Sequence, residues 1–242
     1  VYLRKIKQVI GERPINYLII NHMEPDHSGS IRLIKQHYPE IIIVGNKQTF
    51  GMIEGFYGVT GEQYLVKEGD FLALGHHKLR FYMTPMVHWP ETMMTFDETD
   101  GVLFSGDGFG CFGTVDGGFL DTRINVDKYW GEMVRYYSNI VGKYGSPVQK
   151  ALQKLGGLPI SAICSTHGPV WTENIAKVIG IYDRLSRYDA DEGVVIAYGS
   201  MYGNTEQMAE AIAEELSAQG VKNIVMHNVT KSHPSYIIAD IF

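Results

Sequence analysis

This chain of 242 residues has little cysteine, no long apolar run and no excess of positive charge. Its two cysteines, Cys111 and Cys164, cannot build a disulfide framework, and a reducing cytoplasm fits that scarcity. Apolar runs such as Tyr17–Ile20 and Ile41–Val44 fall far short of the roughly 20 residues a membrane span needs. No basic stretch leading into an apolar one opens the chain, so no secretory signal is visible. Lys and Arg number 21 against 27 Asp and Glu, a net charge of −6, which argues against nucleic acid as a partner. What is present, 45% hydrophobic and 20% charged residues, is the composition of a globular protein with a full core. The chain opens at Val1 without methionine and closes on the apolar run Ile237–Phe242, so a fragment cut at both ends is expected.

Periodicity divides the chain into an α/β pattern. Ile15–Asn21 and Ile41–Val44 read as buried strands, with helices over Gly29–His37 and Lys47–Gly55. Short strands follow at Tyr64–Val66, Phe71–Leu74, Lys78–Met83, Met93–Asp97 and Val102–Ser105, then a glycine-rich loop, Gly106–Gly118. Helices are expected over Asp127–Tyr144 and Pro147–Leu155, a strand at Ile160–Ser165 and a helix over Thr172–Arg187. Arg187–Glu192 is polar and aperiodic, and marks a boundary between a domain at 1–188 and another beginning at 193. Beyond it, strand Val194–Tyr198, helix Thr205–Gln219 (stripe Met208, Ile212, Leu216) and strand Asn223–His227 make one βαβ unit.

The densest chemistry lies in His22-Met23-Glu24-Pro25-Asp26-His27, four candidate metal ligands in six residues at the end of a predicted strand. Three further candidates each follow a predicted strand: His88, Asp107 and His167. Together they read H-x-E-x-D-H … H … D … H. This pattern resembles the metallo-β-lactamase superfamily, whose usual motif is H-x-H-x-D-H. Glu24 in the second position, and spacings of 19 residues from His88 to Asp107 and 60 on to His167, resemble the flavo-diiron proteins within it. Physics agrees with the distinction. Two divalent ions about 3.5 Å apart at an effective dielectric near 20 repel by roughly 19 kcal/mol, which anionic ligands must offset. This chain offers three carboxylates, one more than a zinc-hydrolase set, and imidazole with carboxylate suits iron.

The resemblance implies an αββα sandwich, followed by the start of a flavodoxin-like, doubly wound α/β domain. It implies two non-haem irons, one on His22, Glu24 and His88, the other on Asp26, His27 and His167, with Asp107 bridging. Trp89 and Tyr136 could shape the pocket, Tyr136 as a donor behind the ligands. Cys111 and Cys164 read as structural, and His37, His76, His77, His227 and His233 as solvent-facing or core polar residues. The turn Gly199–Thr205 resembles the flavodoxin phosphate loop: Ser200, Asn204 and Thr205 would touch the FMN phosphate, and Met201, Tyr202 and Gly203 would supply backbone N–H groups. The turn lacks the dinucleotide spacing G-x-G-x-x-G, which disfavours NAD. The later loops that embrace the flavin ring would lie after Phe242, so FMN is expected in the full-length parent and weak or absent binding in this fragment.

The function expected from this is reduction of O2 to water, of NO to N2O, or both. The family pairs subunits head to tail as a homodimer and draws electrons from rubredoxin or a similar carrier. The first rival is a dinuclear zinc hydrolase of the same fold; the second is a flavin-independent binding scaffold with a degenerate site, which the complete ligand set argues against.

Overall fold

The structure is a computed structural model and describes residues 1–115 and 117–242; Asp116, inside the predicted glycine-rich loop, lies outside the described residues. Helix α1 (Tyr2–Ile10) leads into strand β1 (Tyr17–Ile19). The loop after β1 contains a single helical turn, α2 (Pro25–Ser28), and is followed by α3 (Ile31–His37), β2 (Ile42–Gly45), α4 (Lys47–Tyr57) and β3 (Gln63–Leu65). β1, β2 and β3 pair in parallel, Tyr17 opposite Ile42 and Ile43 opposite Gln63. Parallel pairing needs crossovers, and α3 and α4 provide them. Asn46 starts α4 by accepting the N–H groups of Gln48 and Thr49 on its side-chain oxygen, and Gly58 ends it in the left-handed conformation.

The second sheet has strand order β4 (Phe71–Leu74), β5 (His77–Met83), β6 (Met93–Asp97), β7 (Val102–Gly106), β8 (Ala162–Ser165) and β9 (Val170–Trp171). All neighbours are antiparallel except the β7–β8 pair. Helices α5 (Asp127–Tyr136), α6 (Gly145–Leu155) and α7 (Ile175–Ser186) cover one face of this sheet. The apolar residues fall into three clusters that define the layers. Ile31, Phe50 and Ile53 seal α3 and α4 onto the small sheet. Val44, Val66, Leu72, Phe81 and Met93 fill the space between the two sheets. Leu103, Met133, Val148, Ile163, Val178 and Leu185 join the large sheet to its helices. Helix, sheet, sheet, helix is the αββα sandwich.

Several predicted boundaries shift. The helix expected over Asp127–Tyr144 is α5, then a π-helical turn at Tyr137–Val141 and a 3-10 turn at Gly142–Tyr144, running without a break into α6. Pro147 therefore sits at the third position of α6 rather than opening a separate helix. The helix expected from Thr172 begins at Ile175, because β9 and a turn bound to the buried Asp121 occupy the residues before it.

Past α7 come β10 (Val194–Tyr198), α8 (Asn204–Ala218), β11 (Ile224–Asn228) and α9 (Pro234–Ile241), with β10 and β11 parallel. The stripe read on α8 is not a buried one: Met208 and Ile212 are exposed and Ala209 is buried, since a two-stranded ladder covers little of the helix. α9, where only an apolar run was read, packs back on the first unit. Arg135 Nη1 donates to Ser235 Oγ at 3.0 Å and Asn139 Nδ2 to the Ser235 carbonyl at 3.0 Å. Among the described residues no helix is long and apolar enough to cross a membrane.

Candidate metal centre

β5 and β7 each run antiparallel to β6, and β8 runs parallel to β7, so β5, β7 and β8 end on the same edge of the sheet. His88, Asp107 and His167 follow these three strands, and topology alone brings them to one edge. The His22–His27 loop is pinned onto them by Asn21. Its side chain donates to the Phe104 carbonyl and accepts from Thr95 Oγ1, and its own carbonyl accepts the Met93 N–H. Pro25 opens the α2 turn, whose bonds to the Glu24 carbonyl separate Glu24 from Asp26 and His27.

The seven predicted ligands form two groups: His22, Glu24, His88 and Asp107 in one, Asp26, His27 and His167 in the other. In the first, His88 Nε2 lies 3.1 Å from Glu24 Oε2 and 3.1 Å from Asp107 Oδ2. His22 Nε2 lies 3.5 Å and 3.8 Å from the same two oxygens. In the second, Asp26 Oδ2 is 3.3 Å from both His27 Nε2 and His167 Nε2. Asp107 faces both groups. Its Oδ2 belongs to the first, while its Oδ1 is 2.8 Å from His27 Nε2 and 3.7 Å from His167 Nε2. Thr166 Oγ1 donates to Oδ1 at 2.7 Å and fixes the rotation of the carboxylate.

These separations test whether a metal pair fits. Ligand atoms bound about 2.0–2.2 Å from one ion lie roughly 3 to 3.5 Å from each other. Most of these separations fall in that range, and His22 Nε2 and His27 Nε2 are buried without a hydrogen-bond partner despite the carboxylates near them. Close approach without hydrogen-bond alignment is what ligands aimed at a shared ion show. Two metal ions fit the donor set. The first group is the more enclosed, with the His22 and Asp107 side chains 1% exposed, whereas Asp26 is 48% and His167 34% exposed. The second group thus faces solvent.

The electrostatics is that of a concentrated negative centre. Burial alone would raise the Asp107 carboxyl, but the close His27 and His88 imidazoles and the Thr166 hydroxyl hold it far below the carboxylate range. Burial would lower the His27 and His88 imidazoles; their close approach to Asp107, with the charges of Asp107 and Glu24, reverses that and raises them. Tyr136 packs 5.5 Å from His167, ring to ring, and its hydroxyl is buried and unpartnered. Burial first, then the nearby Asp107 charge, drives it well above the usual phenol value, so it is a neutral phenol. Trp89 stands edge-on to His22 at 5.3 Å. Gly168, next to His167, has φ +85°, and a Cβ there would sit 2.3 Å from Cys111 Sγ, so the His167 turn admits only glycine.

Sequence reasoning missed Glu91. It is wholly buried and bonds His22 Nδ1 at 2.8 Å and Met23 N at 2.9 Å. Its only signal was a carboxylate three residues beyond His88, with nothing to link it to a loop 69 residues earlier.

The residues read as a phosphate loop lie apart from this centre in the chain. Gly203, with φ +87°, donates its N–H to Ser200 Oγ at 3.0 Å, and α8 starts at Asn204 with Thr205 in its first turn. Met201 and Tyr202 are largely exposed. The cysteines are unpaired. Of the remaining histidines, His77 and His227 pair with Asp97 and Asp240, His233 caps α9, and His37 and His76 are exposed.

Residues 1–168 match the ODP family beta lactamase, and residues 196–242 match flavodoxin. The anaerobic nitric oxide reductase flavorubredoxin of Escherichia coli O1:K1 is 30% identical over 246 residues, covering all of this chain and 51% of that protein. The chain thus spans about half the length of the curated relatives it matches. Among solved structures, the rubredoxin oxygen:oxidoreductase of Desulfovibrio gigas is similar with a TM-score of 0.93 at 29% identity, over 99% of this chain and 60% of that one. The flavodiiron protein of Giardia intestinalis matches with a TM-score of 0.94 at 26% identity, over 99% and 59%. A lactamase-like sandwich followed by the first strands of a flavodoxin, in that order, places this chain in the ODP family beta lactamases and among the flavo-diiron proteins.

Proposed function

We propose that this chain carries the diiron centre of an oxidoreductase that reduces O2 to water, NO to N2O, or both, with electrons delivered through FMN. The observation that carries the reading is Asp107, which offers one oxygen to each of two ligand groups. His22, Glu24 and His88 would hold one iron and Asp26, His27 and His167 the other, with Asp107 serving both. Bound there, the iron pair would supply open coordination positions and two of the electrons that gas reduction requires. The protein's part is to hold three carboxylates against two cations, to leave the Asp26 and His167 side open to a small gas, and to keep the Tyr136 hydroxyl protonated behind the ligands as a hydrogen-bond donor.

The division into a diiron domain at 1–188 and a flavodoxin beginning at 193–242 is part of the same proposal. So is the FMN phosphate at Ser200, Met201, Tyr202, Gly203, Asn204 and Thr205, supported by the free N-terminus of α8 and the positive φ of Gly203. Rubredoxin in the names of the E. coli and D. gigas relatives supports a rubredoxin-type donor, and family resemblance supports a head-to-tail homodimer in the cytoplasm. Elemental analysis of the full-length protein with O2 and NO consumption assays tests the reading. Two irons and gas consumption are expected; a zinc pair with no gas consumption would refute it.

A further inference from the structure

We infer that Glu91 is the positioning residue of the more enclosed metal ion, acting through His22; the inference rests on the two-metal reading above. Glu91 lies between β5 and β6, and none of its surface is exposed. One oxygen, Oε1, accepts both the His22 Nδ1–H at 2.8 Å and the Met23 N–H at 2.9 Å. Its main-chain carbonyl accepts from Asn46 Nδ2 at 2.6 Å, and Asn46 is itself held as the cap of α4. The second oxygen, Oε2, is buried without a partner.

Burying a carboxylate costs several kcal/mol unless its charge is compensated. Pinning one backbone N–H does not require a charge, since a neutral amide oxygen serves as well. The charge does its work on His22. With Nδ1–H donated to Glu91, the lone pair of His22 must sit on Nε2, the atom that is buried, unpartnered and directed at Glu24 and Asp107. The carboxylate fixes the tautomer and the ring orientation and makes Nε2 a stronger donor. Glu91 also ties the His22 loop to the His88 loop, two ligands of the same ion. Among the described residues no carboxylate outside the ligand set bonds the rings of His27, His88 or His167. The effect is therefore lopsided, strengthening the ion on His22, Glu24 and His88 alone.

The test titrates full-length, metal-free protein with Co(II) against a competing chelator and follows the visible bands of each bound ion. Wild type should bind two ions with unequal affinity. Glu91→Gln keeps the shape and one acceptor oxygen but removes the charge. One ion should weaken 10- to 100-fold with a shifted band, the other by less than about threefold. Wild-type affinities in Glu91→Gln, or equal loss of both ions, would overturn the inference, whereas a wild type binding no metal pair would overturn the two-metal reading itself. A measurement on unaltered protein stands beside it: with Zn(II) bound, nitrogen NMR of labelled histidine should find His22 protonated at Nδ1 and metal-bound at Nε2. The opposite tautomer would overturn the role of Glu91 whether or not the variant folds.

Discussion

Replacing Asp107 by Ala should remove both metal ions together, whereas replacing Glu24 should release chiefly one. Asp107 is 1% exposed, with Oδ2 at 3.1 Å from His88 Nε2 and Oδ1 at 2.8 Å from His27 Nε2, so its charge acts on both groups at once. Glu24 Oε2 reaches only the first group, at 3.1 Å from His88 and 3.5 Å from His22. A carboxylate oxygen about 2.1 Å from a divalent ion has a nominal attraction of roughly 16 kcal/mol at an effective dielectric near 20. Desolvation offsets most of it. If nine-tenths is cancelled, about 1.5 kcal/mol remains for each ion, roughly a tenfold fall in each affinity. Loss of the bridge also leaves the two cations to repel with one carboxylate fewer between them, so tenfold is the smallest effect expected. The assay is elemental analysis after gel filtration of wild type, Asp107→Ala and Glu24→Ala. Full occupancy in Asp107→Ala, or loss of one ion only, would refute the bridging geometry.

Glu24→His restores the zinc-hydrolase motif and removes one negative charge, so the iron-to-zinc ratio after growth in matched metals should fall and O2 and NO consumption with it. Unchanged loading would remove the charge argument. Asp121 is buried and accepts five hydrogen bonds from Thr172, Glu173 and Asn174 at the start of α7. Asp121→Ala should cost about 2–4 kcal/mol in urea unfolding, because three N–H groups and two side-chain donors lose their acceptor. Burial raises this carboxyl, and the bonds from Thr172 and Asn174 more than reverse it, so its folded pKa lies below the unfolded one. Its contribution is complete above the unfolded value and is lost as pH falls through the folded one. The wild-type advantage over Asp121→Asn should therefore be full at pH 6 and shrink below about pH 4. Burial pushes the Cys111 thiol up to about 12, so iodoacetamide at pH 8 should leave it unlabelled in folded protein and label it on unfolding. Rapid native labelling at Cys111 would contradict its burial.

What was legible in the sequence, and what was not, follows from the range of the interactions. The His22–His27 cluster was visible because four ligands share one loop, and His88, Asp107 and His167 because each stands just beyond an apolar run. Their convergence follows from strand order, since β5, β7 and β8 must end together if each is antiparallel or parallel to its neighbour as observed. Glu91 was invisible for the converse reason. A buried carboxylate looks like any surface glutamate until a partner 69 residues away is known, and no periodicity encodes that. Asp121 was missed likewise, because the turn it holds ahead of α7 lies 51 to 53 residues later. The α8 stripe failed differently. Its period was right for a helix, but period reports which residues share a face and not whether another element covers it, and a two-stranded ladder does not. The same reasoning explains why the ligands could be read while their supports could not: a metal demands particular atoms, whereas a positioning carboxylate or a cap is defined only by what the fold sets beside it.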